Sequence, residues 1–208
     1  MVKITETAEL RTLFLTNLRK KYQNNTRKRI HVSDLTLCLR QSFYQKTTPK
    51  NHTDQTLSYF VDGARRHLVL QGLTDYKSEV RVERLGVVGT VDMYADAVIE
   101  VKTTRGTSAI SQHWIKQLGY YTAIINEKTY GYLIIQRLIT KGDAKPFEFY
   151  RIYYSNEELK KYEEEIQEKT ETLKKALETN DETLVPKASS ELKWLCNNCL
   201  YKEKCSDS

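Results

Sequence analysis

"GTVDMYADAVIEVKTT", residues Gly89–Thr104, reads as a β-hairpin. It carries Asp92, Asp96, Glu100 and Lys102 among Val91, Met93, Val98, Ile99 and Val101. Strands are depleted in Asp and Glu, so an acidic hairpin needs a compensating tertiary role. Side chains two apart on a strand share a face, so Glu100 and Lys102 point together while Ile99 and Val101 point opposite. Asp92, on the preceding strand, is placed to meet Glu100 through hairpin pairing. Gly89, three residues earlier, permits a kink or bulge that re-aims the strand. Two carboxylates beside a lysine make a hard-oxygen set suited to Mg²⁺ or Mn²⁺, with the lysine able to orient a water. The plain alternative is an exposed cross-strand Glu–Lys pair.

Outward from the hairpin, the hydrophobic period changes on both sides. "SEVRVER", Ser78–Arg84, alternates Val80 and Val82 with charged residues and predicts a strand. "SAISQHWIKQLGYYTAIIN", Ser108–Asn126, returns to helical spacing and puts His113, Gln117 and Tyr121 four apart on one stripe. Polar groups on an otherwise apolar helix, directly after an acidic hairpin, point to a shared cleft, with His113 read as a helix-surface residue. Two strand runs follow, at residues 129–140 and 147–155. A helix from Asn156 then carries Leu159, Tyr162, Ile166, Leu173 and Leu177 on one stripe. Before the hairpin, helices are expected over Glu6–Tyr22, over "VSDLTLCLRQSFY" (residues 32–44) and over Thr56–Leu70. The second has Ser33 or Asp34 as N-cap and Cys38 about one turn inside; the third carries Tyr59, Phe60, Ala64 and His67. The order α-α-α-β-β-β-α-β-β-α gives an α/β or α+β class. One domain is expected over residues 1–208: a helical part at 1–75, a sheet core at 76–155, and a long helix and tail at 156–208.

A hydrophobic fraction of 39% with 10% aromatic residues argues against disorder. No uninterrupted apolar run reaches membrane-spanning length, and "MVKITETAELRTLFL" lacks a signal-peptide core, so no membrane partner and a cytoplasmic location are expected. Net charge is +6, but residues 156–182 carry −5, which leaves the rest of the chain at +11. Clusters at Arg27–Lys28–Arg29 and Arg65–Arg66 fit an anionic partner, nucleic acid first. Of four cysteines, Cys38 stands apart while Cys196, Cys199 and Cys205 crowd "CNNCLYKEKC". Without an export signal, a metal or cluster site is the stronger reading and disulfides the weaker. Joint ligation would close a loop of about 158 residues and stabilise the fold appreciably.

In combination, "GTVD", "EVK" and "QLGYY" resemble the G-x-x-D, E-x-K and Q-x-x-x-Y pattern of RecB-type nucleases in the PD-(D/E)xK superfamily. "DLTLCLRQSFY" and "CNNCLYKEKC" resemble the cysteine framework of its four-cysteine branch, which includes CRISPR-associated nucleases of spacer acquisition and viral relatives. "VDGARRHLVLQGL", residues 61–73, resembles the branch's upstream helix with a metal-binding histidine. The resemblance runs from about Val32 to Cys205. Each motif is weak alone, and it is their shared order that gives them weight. Leu39 departs from the proline that many relatives carry after the first cysteine.

The resemblance implies His67, Asp92, Glu100 and the Val101 carbonyl as ligands of Mg²⁺ or Mn²⁺, with Lys102 as catalytic lysine. Gln117 and Tyr121 would position that lysine and the substrate backbone. Cys38, Cys196, Cys199 and Cys205 would hold an iron–sulfur cluster of the 4Fe–4S type. The implied activity is metal-dependent hydrolysis of DNA, exonucleolytic or endonucleolytic, on single strands or strand ends. Arg65 and Arg66 would track the backbone, and aromatic residues near the cleft, Tyr121 among them, would stack bases. Implied partners are proteins of CRISPR adaptation or of viral replication, and relatives include ring-shaped homo-oligomers. The alternative is a non-catalytic nucleic-acid-binding module with a four-cysteine zinc site, since zinc and iron–sulfur both accept four thiolates.

Overall fold

The computed structural model describes residues 7–22, 29–49, 52–105, 109–138 and 145–206. Glu6 and Ser108, expected as first residues of helices, lie outside these, as do Arg27 and Lys28 of the basic cluster and residues 139–140 of the expected fourth strand. The elements are α1 (Ala8–Tyr22), α2 (Val32–Leu35), α3 (Leu39–Thr47), α4 (Asp54–Gln71), β1 (Lys77–Arg84), β2 (Val87–Tyr94) and β3 (Val98–Thr104). Then follow α5 (Gln112–Ile125), β4 (Tyr130–Arg137), β5 (Phe147–Tyr153), α6 (Asn156–Thr179), 3₁₀ turns at Glu182–Leu184 and Ser190–Asn198, and α7 (Lys202–Ser206).

The five strands form one mixed sheet in the order β1-β2-β3-β4-β5. β1, β2 and β3 run as an antiparallel meander, β3 and β4 are parallel, and β4 and β5 are antiparallel. The parallel pair requires a crossover, and α5 supplies it. α5 is buried from Leu118 to Ile124 because it lies between the sheet and α6. Leu118, Tyr120, Leu133, Ile135, Leu159, Ile166 and Leu173 fill that layer. On the sheet's other side Met93, Ile99 and Val101 pack with Leu70 of α4. This is the mixed α/β class that the hydrophobic periods predict. α6 has the strongest local signals: Ser155 and Glu158 make a reciprocal capping box.

The second helix departs from its expected form. It breaks after Leu35, and Cys38 is the N-cap of α3 with an extended backbone (φ −86°, ψ 115°). His31, not Ser33 or Asp34, caps α2, and its N–H donates to the Asp34 carboxylate at 2.8 Å. Tertiary contacts hold the chain on both sides of the break: the Val88 N–H donates to the Ile30 carbonyl ahead of α2, and Arg40 donates to the Val185 carbonyl at 2.9 Å. Cys38 thereby sits half-buried at the N-terminal cap of α3, facing the C-terminal tail, instead of inside a helix.

Gly89 also differs from expectation, since β2 runs through it in unbroken register with β1. A Cβ there would lie 2.5 Å from Tyr121 Cε1 and 3.1 Å from Val32 Cγ2. The glycine is required by close approach of α5 and α2, not by a bulge. The Gly89→Ala variant should therefore lose about 1–3 kcal/mol through overpacking. A urea midpoint equal to the unsubstituted protein's would contradict that packing.

Candidate active site

α4, β2, β3 and α5 converge where the sheet opens. β2 and β3 pair only at Met93–Ile99 and Tyr94–Val98. One step further, where Asp92 faces Glu100 in register, the Asp92 carboxylate accepts the Val101 N–H at 2.8 Å. A side chain occupying the place of a backbone carbonyl holds the strands apart. On the other flank, Glu79 lies opposite Asp92 but has φ 53° and drops out of the β1–β2 ladder. Gln71, at the end of α4, donates to Glu79 Oε1 at 2.8 Å and to the Asp92 carbonyl at 3.0 Å. Asp92 is thus fixed through both side chain and backbone.

Glu100 sits in the opened strand pair, 2% exposed. Its Oε1 accepts from Lys102 Nζ at 2.5 Å, and Lys102 Nζ also donates to Gln117 Oε1 at 2.9 Å. Glu100 Oε2 is buried with no hydrogen-bond partner among the described residues. An orphaned buried acceptor costs about 1–3 kcal/mol, more when charged, so an unfilled partner is implied. Burial pushes the Glu100 carboxyl up to about 7, and the Asp92 charge adds to this against the opposing pull of Lys102. His67 Nδ1 stands 3.4 Å from Asp92 Oδ1, and the hydrogen bond to Asp92 raises its pKa despite partial burial. Tyr121 contacts the Thr90 backbone and the Gln117 side chain, and burial pushes its phenol up.

His67, Asp92, Glu100, Lys102, Gln117 and Tyr121 are therefore gathered on one cleft, with the Val101 backbone at its edge. At two residues the structure differs from expectation. Tyr121 is 4% exposed and lies against Gly89, so it offers no face to a base. His113 is half-buried rather than on the surface: Ser111 Oγ lies 2.5 Å from its Nδ1 and its ring is 5.6 Å from that of Trp194. Burial first, and the Lys102 charge second, lower its pKa. Gln71 and Glu79 were missed altogether. The four-residue spacing of His67 and Gln71 was the available signal, whereas the left-handed conformation of Glu79 has none in sequence.

The donor set fits a hard cation: two carboxylates, one of which has a buried oxygen without a partner among the described residues, a backbone carbonyl and an imidazole. Among the described residues no three Asp, Glu, His or Cys side chains form a preformed cation cluster. Lys102 Nζ and the Val101 N–H take up carboxylate oxygens that a cation would share.

Cys38, Cys196, Cys199 and Cys205 line one cavity of about 270 Å³, and no disulfide joins them. Burial raises the Cys199 thiol, with smaller contributions from the other three sulfurs. The tail is docked by the Arg40–Val185 bond, by the Tyr44 and Tyr201 rings 5.6 Å apart, and by Lys204 Nζ 4.9 Å over Tyr44.

No protein-family model matches the chain, and no curated protein matches it. Among solved structures it is similar to that of SSO0001, with TM-score 0.62 and 19% identity over 96% of each chain. It is also similar to the alkaline exonuclease LHK-Exo from Laribacter hongkongensis, with TM-score 0.54 and 12% identity over 79% of this chain and 97% of that one. The same enzyme in complex with dAMP gives TM-score 0.53. At these identities the likeness shows a shared fold. No helix among the described residues is long and apolar enough to cross a membrane.

The electrostatics of the cleft set a pH dependence. Glu100, raised from 4.5 to about 7, favours folding in its neutral form, so its contribution is complete below about pH 4.5 and is lost as pH rises through about 7. His67, raised above 6.5, acts in the same direction. In EDTA, Glu100→Gln should flatten the decline in melting temperature across this range. Mn²⁺ should raise the melting temperature more at pH 8 than at pH 6, because ligands bind deprotonated. An Mn²⁺ shift independent of pH would contradict the assignment.

Proposed function

We propose that the chain is a metal-dependent deoxyribonuclease that hydrolyses phosphodiester bonds in single-stranded DNA or at strand ends. The observation that carries this reading is the buried, half-satisfied Glu100 carboxylate, in register with Asp92 and bonded to Lys102. A carboxylate–carboxylate–lysine cleft suits phosphate chemistry. The fold shared with an alkaline exonuclease supports the same reading.

Mg²⁺ or Mn²⁺ held by His67, Asp92, Glu100 and the Val101 carbonyl would supply charge neutralisation at the scissile phosphate. The protein's own contribution is positioning. Asp92, tied to Val101 N, presents its second oxygen to the cleft from a fixed backbone. Glu100 and Gln117 hold the Lys102 ammonium between them, so it can orient an attacking water or a phosphate oxygen without searching rotamers. Tyr121 secures Gln117 in turn. Outside the cleft, Arg65 and Arg66 on α4 provide positive charge for a backbone.

In this reading the four cysteines bind a structural 4Fe–4S cluster. All four thiols line one cavity, as a shared four-thiolate group requires. A reducing cytoplasm would keep such thiols available as ligands.

Lys102→Ala should lower Mn²⁺-supported cleavage of single-stranded DNA by at least about 100-fold with an unchanged circular dichroism spectrum. Near-normal turnover would remove Lys102 from the mechanism. For the cysteines, anaerobically purified protein should be brown and contain iron and sulfide, and Cys199→Ser should lower both cluster content and melting temperature. Stoichiometric zinc without iron would replace the cluster with a zinc site.

A further inference from the structure

Tyr59, Gly63 and His67 recur four apart on α4 and so lie on one stripe of that helix. His67 ends the stripe beside Asp92. At Gly63 and Tyr59 the same stripe borders two cavities. The smaller, about 210 Å³, is closed on its other side by Thr103, Thr104 and Arg105, which continue the chain directly from Lys102. The larger, about 570 Å³, has Phe60, Tyr22, His52 and Lys21 on its walls. The two share Tyr59 and Gly63, so both border the stripe of α4 that ends at His67, Gly63 lying one turn from it.

Gly63 is the least expected residue on that stripe. A glycine inside a helix destabilises it relative to alanine. Gly89, Gly119 and Gly131 are each explained by a side chain that a Cβ would strike, but a Cβ on Gly63 meets nothing within 4 Å among the described residues. Packing among the described residues therefore gives no reason for it. A backbone kept bare on the floor of a groove suits close approach by something outside the chain.

The walls indicate what approaches. Tyr59 is 45% exposed and Phe60 39%. Phe60 has the Tyr22 ring at 5.6 Å and the His52 ring edge-on at 5.0 Å. Arg105 lies 4.7 Å over the Tyr59 ring, and Lys21 Nζ 5.6 Å over Tyr22. Aromatic faces interleaved with cations match stacked bases on a phosphate backbone, whereas an apolar peptide would leave the cations without partners. Tyr59 and His67 are eight residues apart, about 12 Å along a helix axis. With phosphates about 3.4 Å apart in a stacked strand and farther apart when extended, that distance spans about two to four nucleotides.

We infer that this groove is a nucleobase-stacking subsite, holding single-stranded DNA about two to four nucleotides from the scissile phosphate. Gly63 is its floor, Tyr59 and Phe60 its stacking faces, and Arg105 and Lys21 its phosphate partners. The position relative to the cut rests on the nuclease reading; the binding does not.

The test is binding in EDTA of short single-stranded oligonucleotides that carry one 2-aminopurine at successive positions. The unsubstituted protein should quench the probe over a few consecutive positions. Tyr59→Ala should remove that quench and weaken binding about tenfold or more. Gly63→Leu should weaken binding similarly while the melting temperature stays level or rises, which a packing role for Gly63 would not produce. Unchanged quench and affinity in both variants would overturn the subsite, and so would affinity loss only in variants with a lower melting temperature. Quenching by a protein that cleaves nothing in Mn²⁺ or Mg²⁺ would support the subsite and count against the nuclease reading alone.

Discussion

The hydrogen bond from Val101 N–H to the Asp92 carboxylate, 2.8 Å long, is the constraint on which the rest of the site depends. It ends the β2–β3 ladder after two residue pairs and opens a gap between strands that would otherwise zip shut. Glu100 and Lys102 face into that gap, and Asp92 becomes rigid enough to face them. Gln71 holds the Asp92 carbonyl, and Glu79 leaves its own ladder in a left-handed conformation to accept from the same Gln71 amide. Without this bond the hairpin would be an ordinary antiparallel pair carrying a surface Glu–Lys contact.

Keeping Glu100 beneath α5 is costly, because a buried charge is stable only when paired and hydrogen-bonded on every oxygen. Lys102 satisfies one oxygen, and the other has no partner among the described residues. The surrounding apolar layers hold that arrangement in place: α5 against the sheet and α6, and α4 against Met93, Ile99 and Val101. The docked tail adds a long-range tie through Arg40 and Val185, which are 145 residues apart. Stability elsewhere in the fold thus offsets a locally unfavourable cleft, a pattern expected of functional sites.

Much of this was legible in the residues. The period of two in Ser78–Arg84 and in the hairpin, and the helical stripes in Gln112–Ile125 and Asn156–Thr179, follow from side-chain spacing, whereas the parallel pairing of β3 with β4 does not. The pairing of Asp92 with Glu100 follows from hairpin register. Features that depend on contacts between distant segments were not legible. Leu35–Cys38 has good helical spacing, but the segments on either side of its break are held by Val88 and Val185, far along the chain. Gly89 signals flexibility in any local reading, and only the approach of Tyr121 and Val32 shows that space was the issue. Tyr121 and His113 look alike on a helical stripe, and their burial depends on β2 and on Trp194.

The central claim is that the opened hairpin is a site of metal-dependent phosphodiester hydrolysis. Its most direct test is to incubate the purified protein with end-labelled single-stranded and duplex DNA in Mn²⁺, in Mg²⁺ and in EDTA. The single strand should shorten in either metal, at least as fast in Mn²⁺, and not in EDTA. Intact DNA under all three conditions, or cleavage that EDTA leaves unaffected, would contradict it.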